Sequence, residues 1–399
     1  MAEGRSRPAW ANIDLTAVRH NATLLRRIVA PSALCAVVKA DAYGHGAPAV
    51  AKAAIEGGAA GLAVALIDEG VELREADITA PVLLLSEPPA DAADAVVAGG
   101  LTPTLCSLEG VRAMAAAATR LGVRVSVHVK VDTGMHRMGA DPATAPDVAI
   151  AVSESPILRL EALWTHLAVA DGASANDREF TDRQLARFDQ VVATLAERDV
   201  RPNILHAANS AAALAWPQAR YDLVRCGITL YGELPSPSLA PTVAAEGAQL
   251  RPVLSLRARV SAVRELAAGE RPSYGRLRPL PSRARVATVP IGYADGLPRA
   301  AFDAGLEVLI GGRRFPLAGA VTMDQIVVDC GPESLVAPGD EVVLLGRQGD
   351  EMITAAEWAD RLGTISYEVL CSIGRRVPRV TVGEAKAGWS RTSPWGGAR

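Results

Sequence analysis

The 399-residue chain is short of cysteine, lysine, aromatic side chains and long apolar runs, and each shortage excludes something. Its five cysteines (Cys35, Cys106, Cys226, Cys330 and Cys371) are odd in number and scattered, with no CxxC pair. Neither a disulfide framework nor a metal site is expected from them, and they read as reduced thiols. No 18 apolar residues run together, and the opening MAEGRSRPAW has no apolar signal core, so a soluble cytoplasmic protein is expected. A net charge of −3 leaves no positive excess for a phosphate backbone, which argues against nucleic acid and membrane surfaces as partners. Only four lysines (Lys39, Lys52, Lys130 and Lys386) stand among 41 basic residues. Arginine stays protonated at ordinary pH, so chemistry that needs a neutral amine has very few candidates.

What is present is a large apolar fraction, 49%, enough for a sizeable core and, at this length, for two domains. Eight short apolar runs recur in the first 230 residues: 34–38, 62–66, 82–85, 102–105, 123–131, 158–165, 203–207 and 222–226. Alanine-rich stretches with helical spacing follow them, and this alternation predicts a parallel sheet, most simply an α/β fold of the (β/α)8 TIM-barrel kind. A doubly wound open sheet is the alternative. Beyond about residue 240 the texture changes to alternating β-branched segments, which predicts a mainly β domain. Gly311-Gly312 signals a hairpin, and TAAEWADRLG, from Thr354 to Gly363, a capped helix. The expected organisation is an N-terminal segment (1–11), a barrel (12–240), a mainly β C-terminal domain (241–383) and a disordered tail (384–399), with the Pro-rich 234–241 stretch as linker.

Barrel enzymes carry their chemistry at the carboxyl ends of the strands, so the polar residues there are the first candidates. Lys39 ends the first run in AVVKADAYGHG, aimed from a buried strand into the barrel mouth. Burial and neighbouring arginines would lower its pKa and allow a Schiff base with an aldehyde, although a solvated strand-end lysine is the plainer reading. Asn209-Ser210 opens an alanine-rich helix, and Gly227-Ile228 offers bare amides beyond the eighth run, together a phosphate cup of the sort barrels build there. A lone serine cap would be the alternative. An amine facing a phosphate cup suits pyridoxal 5'-phosphate. Arg225 would then lie beside the ring nitrogen, keep it unprotonated and weaken the ring as an electron sink, unless it simply pairs with Asp222. His166 ends the sixth run and has a structural alternative too.

The motifs AVVKADAYGHG, VDTGMHRMG, THLAVAD, HAANSAA, VRCGITLYG, SYGR, PIGYADGLPR, VTMDQ and TISYEVLCSIGRRVPR resemble, in their order, those of alanine racemases. The resemblance spans about residues 8 to 380, both expected domains. It implies a fold-type III pyridoxal-phosphate isomerase that interconverts L- and D-alanine and supplies D-alanine for peptidoglycan. Lys39 matches the cofactor-holding lysine that is also one base, and Tyr274 the second base, contributed by the partner subunit of a homodimer. Tyr43, Ser210, Gly227, Ile228 and Tyr367 match positions around the cofactor phosphate, Asn209 a cofactor-binding position beside them, Arg225 the ring-nitrogen partner, and His166 the residue packed near the ring. Arg137 and Met323 match contacts to the substrate carboxylate, with Asp324 beside them in VTMDQ. Lys130 matches a lysine that many members carry carbamylated, as N6-carboxylysine. Tyr293 resembles a gate at the substrate entrance. The chain departs from the family pattern at Ala320, where arginine is usual, and at Thr381, where tyrosine is.

Three other readings share parts of this pattern. A racemase of broader amino-acid specificity differs only in pocket shape. A fold-type III decarboxylase shares the two-domain plan, but Arg225 opposes it, because decarboxylation gains from a protonated ring. A non-catalytic cofactor-binding protein shares the barrel and lacks the β domain that bears Tyr274.

Overall fold

A computed structural model describes residues 7–383; the expected tail, 384–399, lies outside the described residues, as do residues 1–6. Contacts divide the described chain into two units, 16–42 with 47–251, and 7–15 with 43–46 and 252–383.

The first strand, β1 (Ala9–Asp14), belongs to the second unit; the next eight build the first. These are β2 (Ala33–Val37), β3 (Gly61–Val64), β4 (Val82–Leu84), β5 (Thr104–Leu105), β6 (Val125–Lys130), β7 (Leu158–Trp164), β8 (Ile204–His206) and β9 (Leu223–Cys226). They pair in parallel as β4-β3-β2-β9 and β5-β6-β7-β8. One seam between the two sheets closes through a parallel bridge from Leu83 to Thr102, whose amide donates to Val82 O at 2.8 Å. The other closes through Asp222 N to Leu205 O and Arg225 N to Ala208 O, both 3.0 Å. The unit is therefore a closed (β/α)8 barrel, and the open-sheet alternative falls away. Its strands are largely apolar because helices cover the outside and side chains fill the inside. β3, β4 and β9 are buried at every position.

The barrel unit runs to residue 251, past the 240/241 boundary expected from composition. Fully buried Asn21 is the physical reason. Its side-chain amide donates to Arg251 O at 2.8 Å and its oxygen accepts from Arg251 N at 2.8 Å, so the strand-like pattern of hydrogen bonding holds that stretch to the barrel.

In the second unit, β1 lies between β10 (Leu254–Arg259), antiparallel, and the last strand of the chain, Arg379–Val382, parallel. The segment expected as a separate N-terminal piece is thus a sheet strand from residue 9 onward. Ala9, Ala11 and Ile13 are buried and the residues between them only half so, the period-2 pattern of a strand with one covered face. The remaining strands are β11 (Ala262–Leu266), β12 (Ala284–Val289), β13 (Glu307–Ile310), β14 (Arg313–Pro316), β15 (Ile326–Asp329), β16 (Glu341–Gln348), β17 (Glu351–Ile353) and β18, the Arg379–Val382 strand. One sheet runs β14-β13-β16-β10-β1-β18 with β17 on β16, and a second runs β11-β12-β15. The β13-β14 hairpin turns at Gly311 and Gly312, both with positive φ (59° and 75°), as a two-residue primed turn requires. Thr354 caps the Ala355–Leu362 helix by accepting from Glu357 N at 3.0 Å.

Candidate active site

The barrel places Lys39, His166, Ser210 and Arg225 at the carboxyl ends of β2, β7, β8 and β9. Lys39 is half-buried, one residue past Val38, whose amide continues the strand pairing to Ala63 O. Immediately after it the backbone turns left-handed: φ is 53°, 52°, 53° and 55° at Ala40, Asp41, Ala42 and Tyr43. Left-handed residues of this kind cost about 1–2 kcal/mol each. Compensating hydrogen bonds hold the turn. Ala40 N donates to Glu69 Oε1 at 2.6 Å, Ala47 N to Asp41 Oδ1 at 2.8 Å, and Ala42 N to Val38 O at 2.9 Å. Such over-determined strain clusters where a side chain must be aimed, and here it follows the lysine.

Arg225 is 3% exposed and makes no carboxylate contact among the described residues. Asp222 is occupied elsewhere, accepting from Leu205 N at 2.8 Å, so the pairing weighed for Arg225 does not form. The guanidinium donates to His206 Nδ1 (2.7 Å), His166 Nδ1 (3.2 Å), Thr165 O (2.9 Å) and Ala207 O (3.0 Å), and it lies 4.5 Å over the Trp164 ring. Burial lowers its pKa to about 10, still a cation at neutral pH. Burial and then the charges of Arg225, Lys130, Arg137 and Lys39 hold His166 well below the usual imidazole range. It is neutral, with its Nδ1 lone pair on Arg225 and its proton on Nε2.

Lys130, at the end of β6, is 3% exposed with its Nζ 4.4 Å over the Trp164 ring. Burial, then Arg225 and Arg137, push its amine down to about 8. Arg137 sits on the exposed loop that follows, with no hydrogen bond or ion pair to a described residue, a free guanidinium for an anionic ligand. Asp132 shapes that loop by accepting from Gly134 N and His136 N, both at 3.0 Å. Gln184, a residue the motifs do not reveal, ties it to the His166 loop. Fully buried on the Ala175–Glu197 helix, it donates to Thr133 Oγ1 and His166 O and accepts from Ala168 N.

At the cup, Asn209 rather than Ser210 is the helix cap, its Oδ1 accepting from Ala212 N at 3.0 Å. That leaves Ser210 Oγ facing the β9 turn, where it accepts from Gly227 N at 2.9 Å and Thr229 Oγ1 at 3.1 Å. Ile228 opens the Ile228–Tyr231 3-10 turn, so its amide has no partner within that turn. Amide, hydroxyl and a strand-end amine are the donor set that pyridoxal 5'-phosphate needs at phosphate and aldehyde. A buried guanidinium held only by neutral acceptors suits an unprotonated ring nitrogen. The residues present fit this cofactor.

In the second unit, three loops are stitched together by hydrogen bonds to backbone carbonyls. Tyr274 heads the first, 74% exposed, between Ser273 (φ 69°) and Gly275 (φ 74°). Ser273 Oγ donates to Ala320 O at 2.6 Å, which ties this loop to the one bearing Met323. Ala320, where the family pattern has arginine, is buried. Tyr293 N donates to Thr322 O and Ala294 N to Met323 O, at 3.0 and 3.1 Å, joining the third loop to the second. Beneath them lies an ion cluster of which the sequence singled out Asp324 alone. Fully buried Asp295 takes a bidentate pair from Arg7 (2.6 and 2.5 Å) and the Gly292 amide (2.8 Å), while Arg376 reaches Asp324 at 2.6 Å. Burial opposes the Asp295 charge, yet Arg7, the Gly292 amide and Arg376 together hold its carboxyl below the ordinary range. Tyr43 and Tyr367 lie with ring centroids 6.1 Å apart.

Barrel, amine, guanidinium and cup together define a pyridoxal-phosphate-dependent barrel enzyme. Comparison with known proteins narrows the class. Family models described as the N-terminal and C-terminal domains of alanine racemase match residues 13–235 and 253–381. An alanine racemase of Symbiobacterium thermophilum is 46% identical over 378 residues, 95% of this chain and 98% of that one. The crystal structure of alanine racemase from Streptomyces lavendulae superposes with a TM-score of 0.87 at 38% identity, over 96% of this chain and 98% of that chain. Alanine racemase from Bacillus anthracis, solved with bound L-Ala-P, gives 0.87 at 35% identity, over 96% and 97%. The chain belongs to the alanine racemase family, whose enzymes are isomerases that use pyridoxal 5'-phosphate.

Proposed function

We infer that the chain interconverts L-alanine and D-alanine, with Lys39 and Tyr274 as acid/base groups on opposite faces of the substrate α carbon. The observation that carries the reading is Arg225, a buried cation whose described partners are imidazoles and carbonyls. Racemisation takes a proton from one face of a flattened carbon and returns it to the other, so two opposed groups are the economical arrangement. When bound, the cofactor supplies the electron sink that makes the α proton acidic. Lys39 holds it and moves the proton on the face from which D-alanine is deprotonated. Tyr274 moves the proton on the L-alanine face. Arg137 and the Met323 backbone hold the substrate carboxylate, and Tyr293 narrows the approach. Tyr43, Asn209, Ser210, Gly227, Ile228 and Tyr367 hold the phosphate, and neutral His166 packs beside the ring. Asp324 anchors Arg376 and so supports the Met323 loop.

A second copy of the chain is part of the proposal, each bringing Tyr274 to the other's Lys39. The exposure of Tyr274 (74%), Met323 (52%) and Leu277 (50%) supports it, since an apolar edge of that kind suits cover by another protein surface. Lys130 is proposed to carry carbon dioxide. With a pKa of about 8 part of its amine is neutral, the form that adds carbon dioxide and releases a proton. The resulting carbamate anion would turn two repulsions, from Arg225 and Arg137, into attractions. A mass increment of one carbon dioxide at Lys130, or none, decides the point. The cellular role proposed is D-alanine supply for peptidoglycan, in the cytoplasm; no helix among the described residues is long and apolar enough to cross a membrane.

Incubation of L-alanine in deuterated water tests the reaction. D-alanine carrying deuterium at the α carbon is expected. Carbon dioxide release would mean a decarboxylase, and neither product would mean a binding protein. Serine and larger amino acids in the same assay measure breadth. Activity per protomer that stays constant well below the dimer dissociation constant would overturn the shared site.

A further inference from the structure

Behind Arg225 a file of polar side chains crosses the barrel interior. His206 Nδ1 takes the Arg225 guanidinium at 2.7 Å, and His206 Nε2 meets His128 Nδ1 at 3.2 Å. His128 Nε2 faces Glu161 Oε2 at 3.4 Å, and the other Glu161 oxygen is paired with Arg159. His128 and His206 are fully buried and Glu161 is 5% exposed, while Arg159 reaches solvent. Trp164 stacks flat on His206, with centroids 5.3 Å apart and planes 7° apart, and carries Arg225 and Lys130 against its ring.

The two ends of the file fix its direction. A guanidinium can only donate, and a carboxylate can only accept. His206 must therefore present a bare Nδ1 to Arg225, which puts its proton on Nε2, where it donates to His128 Nδ1. His128 in turn must carry its proton on Nε2, toward Glu161. Flipping either ring sets proton against proton or lone pair against lone pair. Burial holds both imidazoles below their ordinary range, His206 well below, with Arg225 acting the same way and Glu161 opposing it at His128, so neither ring carries a second proton at neutral pH.

The backbone is bent to make this possible. In the β6-β7 pairing Val127 lies opposite Leu160 and His128 opposite Ala162, so Glu161 is skipped. Such a bulge is rare between parallel strands and re-aims a side chain. Strict alternation would put Glu161, which stays on the side of its partner Arg159, on the opposite face from Trp164; the bulge lets Glu161 meet His128 while Trp164 stacks on His206.

We propose that Glu161 and His128 are positioning residues for Arg225, locking His206 as the Nε2–H tautomer so that an acceptor always meets the guanidinium. The arrangement orients Arg225 through neutral rings and keeps the carboxylate charge two imidazoles away. A carboxylate directly on Arg225 would cancel part of the charge that keeps a ring nitrogen unprotonated. The part concerning the loaded enzyme rests on the proposed racemase reading.

The test uses the full-length protein labelled with 15N-histidine, whose six imidazoles are assigned by single substitutions. Long-range proton–nitrogen correlations, with and without cofactor, should show His128 and His206 neutral and protonated at Nε2 from about pH 7 to 9. Glu161→Gln replaces a compulsory acceptor with an amide that can also donate, so Arg225 alone then opposes the reversed order and the Nδ1–H population of both rings should rise. In the loaded variant the ratio of pyruvate, formed when alanine transfers its amino group to the cofactor, to D-alanine should rise about tenfold. An imidazolium or an Nδ1–H tautomer at His206 in the unsubstituted protein would overturn the proposal, and that measurement stands even if the variant does not fold. Tautomers that change while the ratio does not would also overturn it, by leaving the file a purely structural role. Absence of any racemisation by the unsubstituted protein would instead remove the racemase reading.

Discussion

Gly292 is the position at which the smallest substitution should do the most to the second unit's loops. Its backbone is extended (φ −149°, ψ −163°), so alanine could adopt the conformation; space is what it lacks. A Cβ there would sit 2.3 Å from Thr322 O and 2.5 Å from both Met323 C and Met323 O. All three atoms are backbone and cannot rotate away. Restoring an ordinary contact requires the Tyr293 and Met323 loops to part by about 1 Å, which breaks the Tyr293 N to Thr322 O and Ala294 N to Met323 O bonds. Two such bonds at about 1 kcal/mol each, with about 1–3 kcal/mol for the overpacking, give about 3–5 kcal/mol for Gly292→Ala. For a domain of this size that lowers Tm by about 10 °C. An error of 1 Å in a substrate-positioning loop costs about 100-fold in rate. Thermal unfolding and kcat/KM for L-alanine should therefore both fall, while cofactor absorbance, which depends on the barrel residues, should remain. Gly374→Ala is the control, since its φ is not left-handed and a Cβ there meets nothing closer than 3.4 Å. Wild-type Tm and kcat/KM in Gly292→Ala would refute the reasoning.

Lys39→Ala should abolish both the visible absorption of lysine-held cofactor and activity, whereas Tyr274→Phe should keep the absorption and lose about 100- to 10,000-fold in racemisation; absorption surviving in the first variant would remove Lys39 from its role. Ser210→Ala deprives Gly227 N of its acceptor and the phosphate of a hydroxyl, so cofactor affinity measured by fluorescence titration should weaken about tenfold, with Ser236→Ala unchanged. Lys130→Met should stabilise the protein by about 3 kcal/mol at pH 7 in carbon-dioxide-free buffer. Burial lowers that lysine from 10.5 to about 8 in the folded state, so the cost of its charge is fully present below pH 8 and disappears above the unfolded value. The wild type should gain stability through that window and the advantage of the variant should shrink to nothing; denaturant titrations showing no gain at pH 7 would contradict this.

The barrel was readable because parallel strands covered on both sides are mostly apolar, so β2 to β9 stand out as runs against alanine-rich helices. β1 was not. AWANID alternates weakly, and it becomes a strand only by pairing with Leu254–Arg259 and Arg379–Val382, partners far away in sequence. The domain boundary moved for the same reason, since one buried asparagine, Asn21, holds residue 251 to the barrel across a long separation. The left-handed turn after Lys39 was hidden in another way. ADAY carries no glycine, and nothing in four ordinary residues announces positive φ; the carboxylates of Glu69 and Asp41 impose it.

At the site, legibility follows whether a residue's role depends on its own type or on its neighbours. A lysine or an arginine at the end of a barrel strand has one chemistry to offer, and Lys39 and Arg225 are visible in that way. Asp295, Gln184 and Glu161 offer nothing distinctive until the fold has placed their partners. Arg7 lies 288 residues from Asp295, and His128 lies 78 from His206. Burial is what gives these pairings their effect, because in water each would exchange with solvent and fix no direction. Glu161 is the extreme case: strict alternation along LRLEALW sets it on the opposite face from Trp164, and only a one-residue slip against β6 lets both reach the histidines. A strand pattern that breaks its period at a charged residue is therefore a signal in its own right. Here the break falls where a carboxylate can order two histidines behind the residue that holds the positive charge.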